Sequence, residues 1–364
     1  MEKKQRLVGL DLFRGIAAYA VVILHSDEGI TVKSATWSAI LHFSTFAVPF
    51  FLAASFYLTI SKLYTGGGSY AWRSRLPRLL IPYGFWSLVY LFYKVLKYVI
   101  KHEPDKIKEL FKDPLALIFL GQSAFHLYFI PLLLVGSVFV LLAEYLIRRR
   151  AQLVVLWGFL ILSIIIYESY KVFLHGTPPD QANVDIAAQG LQDATSPEGY
   201  GNAFVHLIVV WLGYMARCLP YIAVALLLNH PSTRSRLLKF DTKYTVMLLA
   251  AFIIVNAFSV PLLLETVQEV ARGYSALMLA VAVSTNLKAN AMIASLGNCS
   301  FGIYLMHLLV VEVFSSIAQK THLFTDQIAV FSLLAVTTLS FLVSWVITSL
   351  LMKQKRVAKL MFGV

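Results

Sequence analysis

Residues 9–29 read GLDLFRGIAAYAVVILHSDEG, an apolar run with Arg14 and His25 inside it. With its flanks, the run forms an apolar segment over 7–27 that is long enough to cross a bilayer. A segment in lipid must satisfy its own backbone hydrogen bonds, so we expect a helix. The run is too long for a signal peptide and lacks a small-residue cleavage pattern, so we expect it to remain as the first membrane span.

The composition of the whole chain indicates the same environment. Of the 364 residues, 59% are hydrophobic and 14% are charged, and the mean hydropathy is +0.73. A soluble domain is roughly half apolar and a quarter charged. The contrast excludes a disordered chain, a disulfide scaffold and an ordinary cytosolic enzyme. Cys218 and Cys299 lie in apolar stretches, so we expect two free thiols. The prediction is an all-α, polytopic transmembrane helix bundle that forms a single integral-membrane domain over 1–364.

The hydropathy pattern predicts about ten spans joined by short loops. The fourth segment reads either as one interrupted span or as a short segment at 115–122 followed by a full span at 124–147. The long outer loop at 170–200 is rich in Pro, Asp, Gln and Gly, which is typical of a linker or a flexible lid. The ten apolar segments run over 7–27, 36–61, 79–100, 115–147, 151–169, 203–229, 244–264, 273–287, 293–318 and 327–352.

The Lys and Arg residues indicate the orientation. Lys3, Lys4 and Arg6 favour a cytoplasmic N-terminus, and ten spans then bring the C-terminus to the same side. Most of the 31 basic residues fall in cytoplasmic loops or at the cytoplasmic termini under this arrangement, in agreement with the positive-inside rule. The net charge of +12 therefore indicates topology, and the expected partner is the lipid bilayer, not nucleic acid. The nine histidines are scattered without ligand spacing on one helix, so we predict no metal site.

Arg14 and His25 are the candidate functional residues of the first span. They are almost three helical turns apart, so they share one face at an axial separation of about 16 Å. An arginine inside a span should face the protein interior or a wet cavity. Local alternatives stay open for both: Asp11 pairs with Arg14 across one turn, and His25 is a hydrogen-bonded histidine at the helix end.

Arg75 and Arg78 stand at the cytoplasmic mouth of the third span, just before Pro82. If this segment is helical, a spacing of three brings both side chains to one face. Two guanidinium forks suit the binding of phosphate groups. The alternative is that these arginines set topology and contact anionic lipid headgroups.

A polar stripe interrupts the ninth apolar segment. Ser300, Tyr304 and His307 recur at spacings of four and three, which places them on one helical face. Such a stripe faces protein or a cavity, and the alternative is hydrogen bonding between helices by small and polar residues.

Five motifs follow one another from the first segment to the ninth: Phe13-Arg14-Gly15-Ile16-Ala17 with His25; Pro49-Phe50-Phe51-Leu52 with Ser55-Phe56; Arg75-x-x-Arg78 with Pro82; His126-Leu-Tyr128-Phe129; and Ser300-Phe-Gly-Ile-Tyr304-Leu-x-His307. In this order they resemble the acyltransferase family 3 membrane proteins. One departure is visible, because the usual Ser-Gly-Phe of the second span reads Ser55-Phe56 here.

The resemblance implies an O-acyltransferase of the bacterial cytoplasmic (inner) membrane. Such an enzyme moves an acyl group, acetyl by default, from cytoplasmic acyl-coenzyme A to a hydroxyl of a surface glycan or lipid-linked saccharide. The chain resembles the stand-alone type, without the SGNH-type domain that many relatives add. Carried over by position, the catalytic residues are His25 and Arg14, the donor-binding residues are Arg14, Arg75 and Arg78, and the supporting residues are Glu28, Ser55, Tyr128, Ser300, Tyr304 and His307.

The expected mechanism assigns a role to each group. Arg75 and Arg78 bind the phosphates of the donor, Arg14 holds its arm or polarises the thioester, and His25 is the general base. Asp27 or Glu28 would orient the imidazole. The competing hypotheses are a transporter or exporter of a glycan or small solute without acyl transfer, and a partner protein in a surface-polymer assembly.

Overall fold

The structure is a computed structural model, and the residues that it describes are helical or irregular, without a strand. The all-α prediction is therefore confirmed for this part of the chain. The described residues are 7–28, 32–66, 70–175, 202–237, 242–260, 263–320 and 329–364. The helices are α1 (Val8–Leu24), α2 (Ala35–Ser44), α3 (Ala47–Gly66), α4 (Trp72–Ile100), α5 (Pro104–Leu110), α6 (Pro114–Phe119), α7 (Phe129–Gly136), α8 (Val140–Arg148), α9 (Leu153–His175), α10 (Ala203–Asn229), α11 (Pro231–Leu237), α12 (Thr242–Ala257), α13 (Glu265–Val283), α14 (Ala291–Lys320), α15 (Ala329–Leu351) and α16 (Lys355–Phe362).

Seven helical segments among the described residues are long and apolar enough to cross a membrane. The chain is therefore a multi-pass membrane protein, as predicted. Three predicted spans fall short of this criterion. Helices α1 and α12 have 17 and 16 residues, and α13 carries Glu265, Glu269 and Arg272 in its first half. The count of ten spans and the cytoplasmic termini stay predictions. The seven segments are Ala35–Gly66, Trp72–Ile100, Phe125–Arg148, Leu153–Leu174, Ala203–Asn229, Ala291–Lys320 and Val330–Leu351.

The second predicted segment is not one continuous α-helix. It divides into α2 and α3 at a turn over Thr45 and Phe46. Pro49 has no N–H to donate to the Thr45 carbonyl, so the i→i−4 ladder is interrupted there. The turn is held by the Thr45 hydroxyl, which donates to the carbonyl of His42 over 2.7 Å.

The helices of the third and fourth predicted segments also begin or end at other residues than predicted. Helix α4 begins at Trp72, well before the predicted start at 79, and it continues through Pro77 and Pro82. The ambiguous fourth segment follows the second of its two predicted forms. Short helix α6 precedes a longer helical run, which begins with a 3₁₀ turn over Phe125–Tyr128 and continues as α7 and α8.

The described chain falls into two compact units. Unit 1 comprises Met1–Ala54 with Arg234–Gln354, and unit 2 comprises Ser55–Thr233 with Lys355–Val364. The single domain over 1–364 stays a prediction.

Helix α1 forms the core of unit 1, where it packs against α13, α14 and α15. Small residues allow the close approach of these helices. A Cβ at Gly9 would lie 2.2 Å from the carbonyl oxygen of Ala280 on α13, and one at Gly297 on α14 would lie 2.5 Å from the Asp11 side chain. A larger side chain at either glycine would therefore separate α1 from its neighbours.

Helix α10 is more buried than the other long apolar helices of unit 2, and it packs along α9, α7 and α6. The hydroxyl of Tyr170 on α9 donates to the carbonyl of Val209 over 2.5 Å, and a Cβ at Gly213 would lie 2.7 Å from the same Tyr170 ring. In contrast, α4 and α9 expose large apolar side chains such as Phe92 and Phe173. In a membrane protein, such side chains are expected to face lipid.

Two further predictions can be compared with the structure. Cys218 and Cys299 are both buried free thiols, as expected. The first residues of the predicted outer loop at 170–200 continue α9 to His175. The rest of that loop lies outside the described residues, as do Lys3, Lys4 and Arg6.

Candidate active site

His25 lies directly after the end of α1 and faces a second histidine. The ring centroids of His25 and His307 are 5.4 Å apart, with the ring planes inclined by 30°. His307 is fully buried on α14, whereas His25 is half-buried. The structure therefore brings together two histidines that the sequence analysis selected from separate motifs.

The tautomer of His307 follows from its hydrogen bond. Its Nδ1 lies 2.6 Å from the backbone carbonyl oxygen of Tyr304. A carbonyl can only accept, so Nδ1 carries the hydrogen, and Nε2 of the neutral ring is the acceptor atom. The hydrogen bond to Tyr304 thus fixes which nitrogen of His307 donates and which accepts.

The polar stripe of α14 is a single buried face, as predicted. Ser300, Tyr304 and His307 are all buried, and the rings of Tyr304 and His307 are 6.3 Å apart between centroids. The hydroxyl of Ser300 donates to the carbonyl of Gly297 over 2.9 Å, so it is bonded within its own helix.

The turn that carries His25 is fixed by neighbouring helices of unit 1. The hydroxyl of Thr337 on α15 donates to Ser26 Oγ over 2.6 Å, and Ser26 donates to the carbonyl of Val22 over 2.6 Å. The indole of Trp37 on α2 donates to Asp27 Oδ2 over 2.9 Å. These contacts restrain the backbone on the C-terminal side of His25, and they give Asp27 a clear structural role.

Arg14 lies beside Asp11, in agreement with the local alternative for this residue. Arg14 Nη1 and Asp11 Oδ1 are 3.6 Å apart, and the Asp11 side chain is buried while that of Arg14 is partly exposed. Asp11 itself packs against Gly297 of α14. The ion pair therefore holds a partly accessible guanidinium on α1.

Arg75 in unit 2 is held by two hydroxyl groups of α3. Its Nη2 donates to Ser55 Oγ over 2.6 Å, and its Nη1 donates to Thr59 Oγ1 over 2.5 Å. The guanidinium also lies over the ring of Tyr70, 5.6 Å from the centroid. Arg75 is thus preorganised on three sides.

Tyr70 is in turn anchored to the middle of α8. The backbone N–H of Tyr70 donates to Glu144 Oε2 over 2.9 Å, and Arg148 donates to Glu144 Oε1 over 2.6 Å. Sequence reasoning missed Thr59, Tyr70 and Glu144. Only Thr59 left a local signal, because it lies one helical turn after Ser55 on the same face.

The other predicted residues occupy separate places. Arg78 is exposed on the second turn of α4, and Glu28 is exposed after α1. Tyr128 is buried in the 3₁₀ turn, with its ring 6.4 Å from that of Tyr214. Unit 1 thus contains Arg14, His25, Glu28, Ser300, Tyr304 and His307, and unit 2 contains Ser55, Arg75, Arg78 and Tyr128.

Unit 2 also contains a buried histidine–carboxylate pair that the sequence did not reveal. His206 Nδ1 on α10 lies 2.7 Å from Asp113 Oδ2, while Asp113 Oδ1 caps α6 by accepting from the N–H of Ala116 over 2.9 Å. The pair joins α6 to α10. Within the described ranges, no three His, Cys, Asp or Glu side chains are grouped closely enough to hold a metal ion.

Comparison of the sequence with protein-family models identifies the class of this helical membrane protein. The family model for an acyltransferase domain, acyltransferase 3, matches residues 7–349. The chain belongs to this family and is a membrane acyltransferase. Comparison with curated proteins and with solved structures gave no match.

Proposed function

We propose that the protein transfers an acetyl group from acetyl-coenzyme A to a hydroxyl of a surface glycan or lipid-linked saccharide at the bacterial cytoplasmic membrane. The membership of acyltransferase family 3 supports acyl transfer and implies an acyl donor. The observation that carries the chemical part of the proposal is the contact between His25 and His307. A general base needs a defined imidazole near the reacting hydroxyl, and this contact supplies an oriented histidine pair.

The proposed reaction moves the proton of the acceptor hydroxyl, breaks the C–S bond of the thioester and forms the C–O bond of the new ester. The acceptor oxygen attacks the thioester carbonyl while the neutral imidazole of His25 removes the proton of the hydroxyl. The C–S bond then breaks, the new ester forms, and the thiolate leaves and takes up a proton. Arg14 stabilises the negative charge that develops on the carbonyl oxygen or binds the arm of the donor.

Arg75 and Arg78 are proposed to bind the phosphates of coenzyme A. The fit is supported by the environment of Arg75, whose guanidinium is oriented by Ser55, Thr59 and the Tyr70 ring before any ligand binds. Preorganisation lowers the entropy lost on binding. Arg78 is exposed one turn further along α4, so its guanidinium is available to an anion.

The test is acetyl-coenzyme A binding and turnover by the detergent-purified protein, with the Arg75→Ala variant in parallel. The expected result is saturable binding and slow hydrolysis or transfer, with weaker binding by Arg75→Ala. Succinyl- and longer acyl-coenzyme A are included as alternative donors. If the folded protein binds none of these thioesters, the proposed donor is wrong.

A further inference from the structure

We infer that the C-terminal helix α16 completes the donor site of unit 2, with Lys355 and Lys359 binding the ribose phosphate monoester of coenzyme A. This inference rests on the proposed function, because it presupposes that Arg75 and Arg78 bind the same donor. Its subject is a different element, which none of the five family motifs includes.

Helix α16 is docked on the helix that carries Arg75 and Arg78. Ala358 and Phe362 are buried, and the indole of Trp86 on α4 donates to the carbonyl of Met361 over 2.9 Å. Spacings of three and four place the residues of this contact on one face of α16. The helix is therefore a packed part of unit 2.

The contact continues to the backbone of Arg78 itself. Pro82 lacks the N–H that would complete an α-helical hydrogen bond to the Arg78 carbonyl. Gly363 packs against this position, and a Cβ on it would lie 2.0 Å from Arg78 O. Gly363 also has a φ of +70°, which favours glycine. Both features allow α16 to end directly beside the turn of Arg78.

The exposed side chains of α16 that border its buried face are basic. Lys355 and Lys359, each three residues before a buried residue, are exposed, as is Arg356, and the helix contains no acidic residue. Arg78 is exposed on α4. Among the described residues, none of these four cations forms an ion pair with a carboxylate. The docked helix thus adds unneutralised positive charge to the segment that carries the two arginines.

This charge matches the distribution of charge on coenzyme A. The pyrophosphate suits the two guanidinium groups that are one turn apart, because each fork can bind phosphate oxygens in a bidentate manner. The ribose phosphate is a separate monoester with a charge near −2, which suits the point charges of lysine ammonium groups. Anionic lipid headgroups have the same phosphate chemistry, so the experiment must separate the two ligands.

The test compares Lys355→Gln/Lys359→Gln with wild type in neutral detergent, using acetyl-coenzyme A and acetyl-dephospho-coenzyme A. The double variant should raise the Kd for acetyl-coenzyme A roughly 5- to 30-fold, since two partly exposed charge contacts are lost. The Kd for the dephospho thioester should be unchanged. The control, Arg149→Gln/Arg150→Gln, removes two exposed charges elsewhere in unit 2 and should change neither Kd.

A second variant keeps every charge. Gly363→Ala should weaken acetyl-coenzyme A binding by displacing α16, whereas Gly84→Ala on α4, where an added Cβ meets no atom within 4 Å, should not.

Three outcomes would contradict part of this proposal. An equal loss of affinity for both thioesters in the lysine variant would contradict the assignment of the lysines to the phosphate monoester. An effect seen only in nanodiscs with anionic lipid would show that α16 binds headgroups instead. If the folded wild-type protein binds neither thioester, the proposed function itself is wrong.

Discussion

His25 and His307 face each other at 5.4 Å between ring centroids, and the Nδ1–H of His307 is bound to the carbonyl of Tyr304. One histidine is half-buried at the end of a helix, and the other is fully enclosed. This division suits a base that contacts substrate and a partner that holds the base in position.

The first prediction concerns His25 itself. His25→Ala should reduce the turnover of acetyl-coenzyme A by about 10²- to 10⁴-fold, because this is the usual contribution of a general base. Turnover is measured on purified protein with a thiol-release assay. His230→Ala is the matched control, since His230 lies at a helix boundary and accepts from the backbone N–H of nearby Ser232. Near-normal turnover by folded His25→Ala would remove His25 from the role of base.

The second prediction separates the two nitrogens of His307. His307→Asn can keep the donor to the Tyr304 carbonyl, whereas His307→Gln can place its amide nearer the position of Nε2. If Nε2 positions His25, the Asn variant should keep its stability and lose about tenfold in turnover. The Gln variant should keep more turnover and lose about 1 kcal/mol of stability. A parallel decline of turnover and thermal stability in both variants would indicate a purely structural histidine.

The third prediction concerns the hydroxyl groups that orient Arg75. Ser55→Ala and Thr59→Val should each raise KM for acetyl-coenzyme A roughly 2- to 10-fold with little change in kcat, because each variant removes one hydrogen bond to the Arg75 guanidinium. Thr65→Val is the control on the same helix, since its hydroxyl donates to the Ser61 carbonyl within α3. A fall in kcat at constant KM would place these hydroxyls outside donor binding.

The fourth prediction concerns the packing of α1 on α14. Gly297→Ala would place a Cβ 2.5 Å from Asp11, so it should destabilise the protein by about 1–3 kcal/mol and disturb the ion pair with Arg14. Gly158→Ala on α9 meets no atom within 4 Å and serves as the control. The readout is the thermal unfolding midpoint in detergent. Equal midpoints for the two variants would mean that α1 and α14 are less closely packed than described.

Much of the fold could be predicted because membrane helices leave a strong local pattern. Apolar length predicted the helical class, and the period of 3.6 placed Ser300, Tyr304 and His307 on one buried face. The break between α2 and α3 was missed because hydropathy does not register the N–H that Pro49 lacks. Helix α4 began earlier than expected because its polar first turns lie outside the apolar run.

The contacts of the candidate site were less predictable from the sequence. Periodicity shows which side of a helix is polar, but not which other helix that side meets. The bonds from Arg75 to Ser55 and Thr59 join two helices, and the anchor of Tyr70 at Glu144 joins residues far apart in the chain. The pair of Asp113 and His206 had no motif at all.

The contacts of α9 and α10 hold unit 2 together without help from the chain that connects these two helices. Tyr170 is bonded to Val209 and packs against Gly213, while Asp113 is bonded to His206. These contacts link the chain before residue 176 to the chain after residue 201 without using the peptide bonds between them. Two fragments expressed together, one ending after α9 and the other beginning before α10, should therefore reassemble in the membrane.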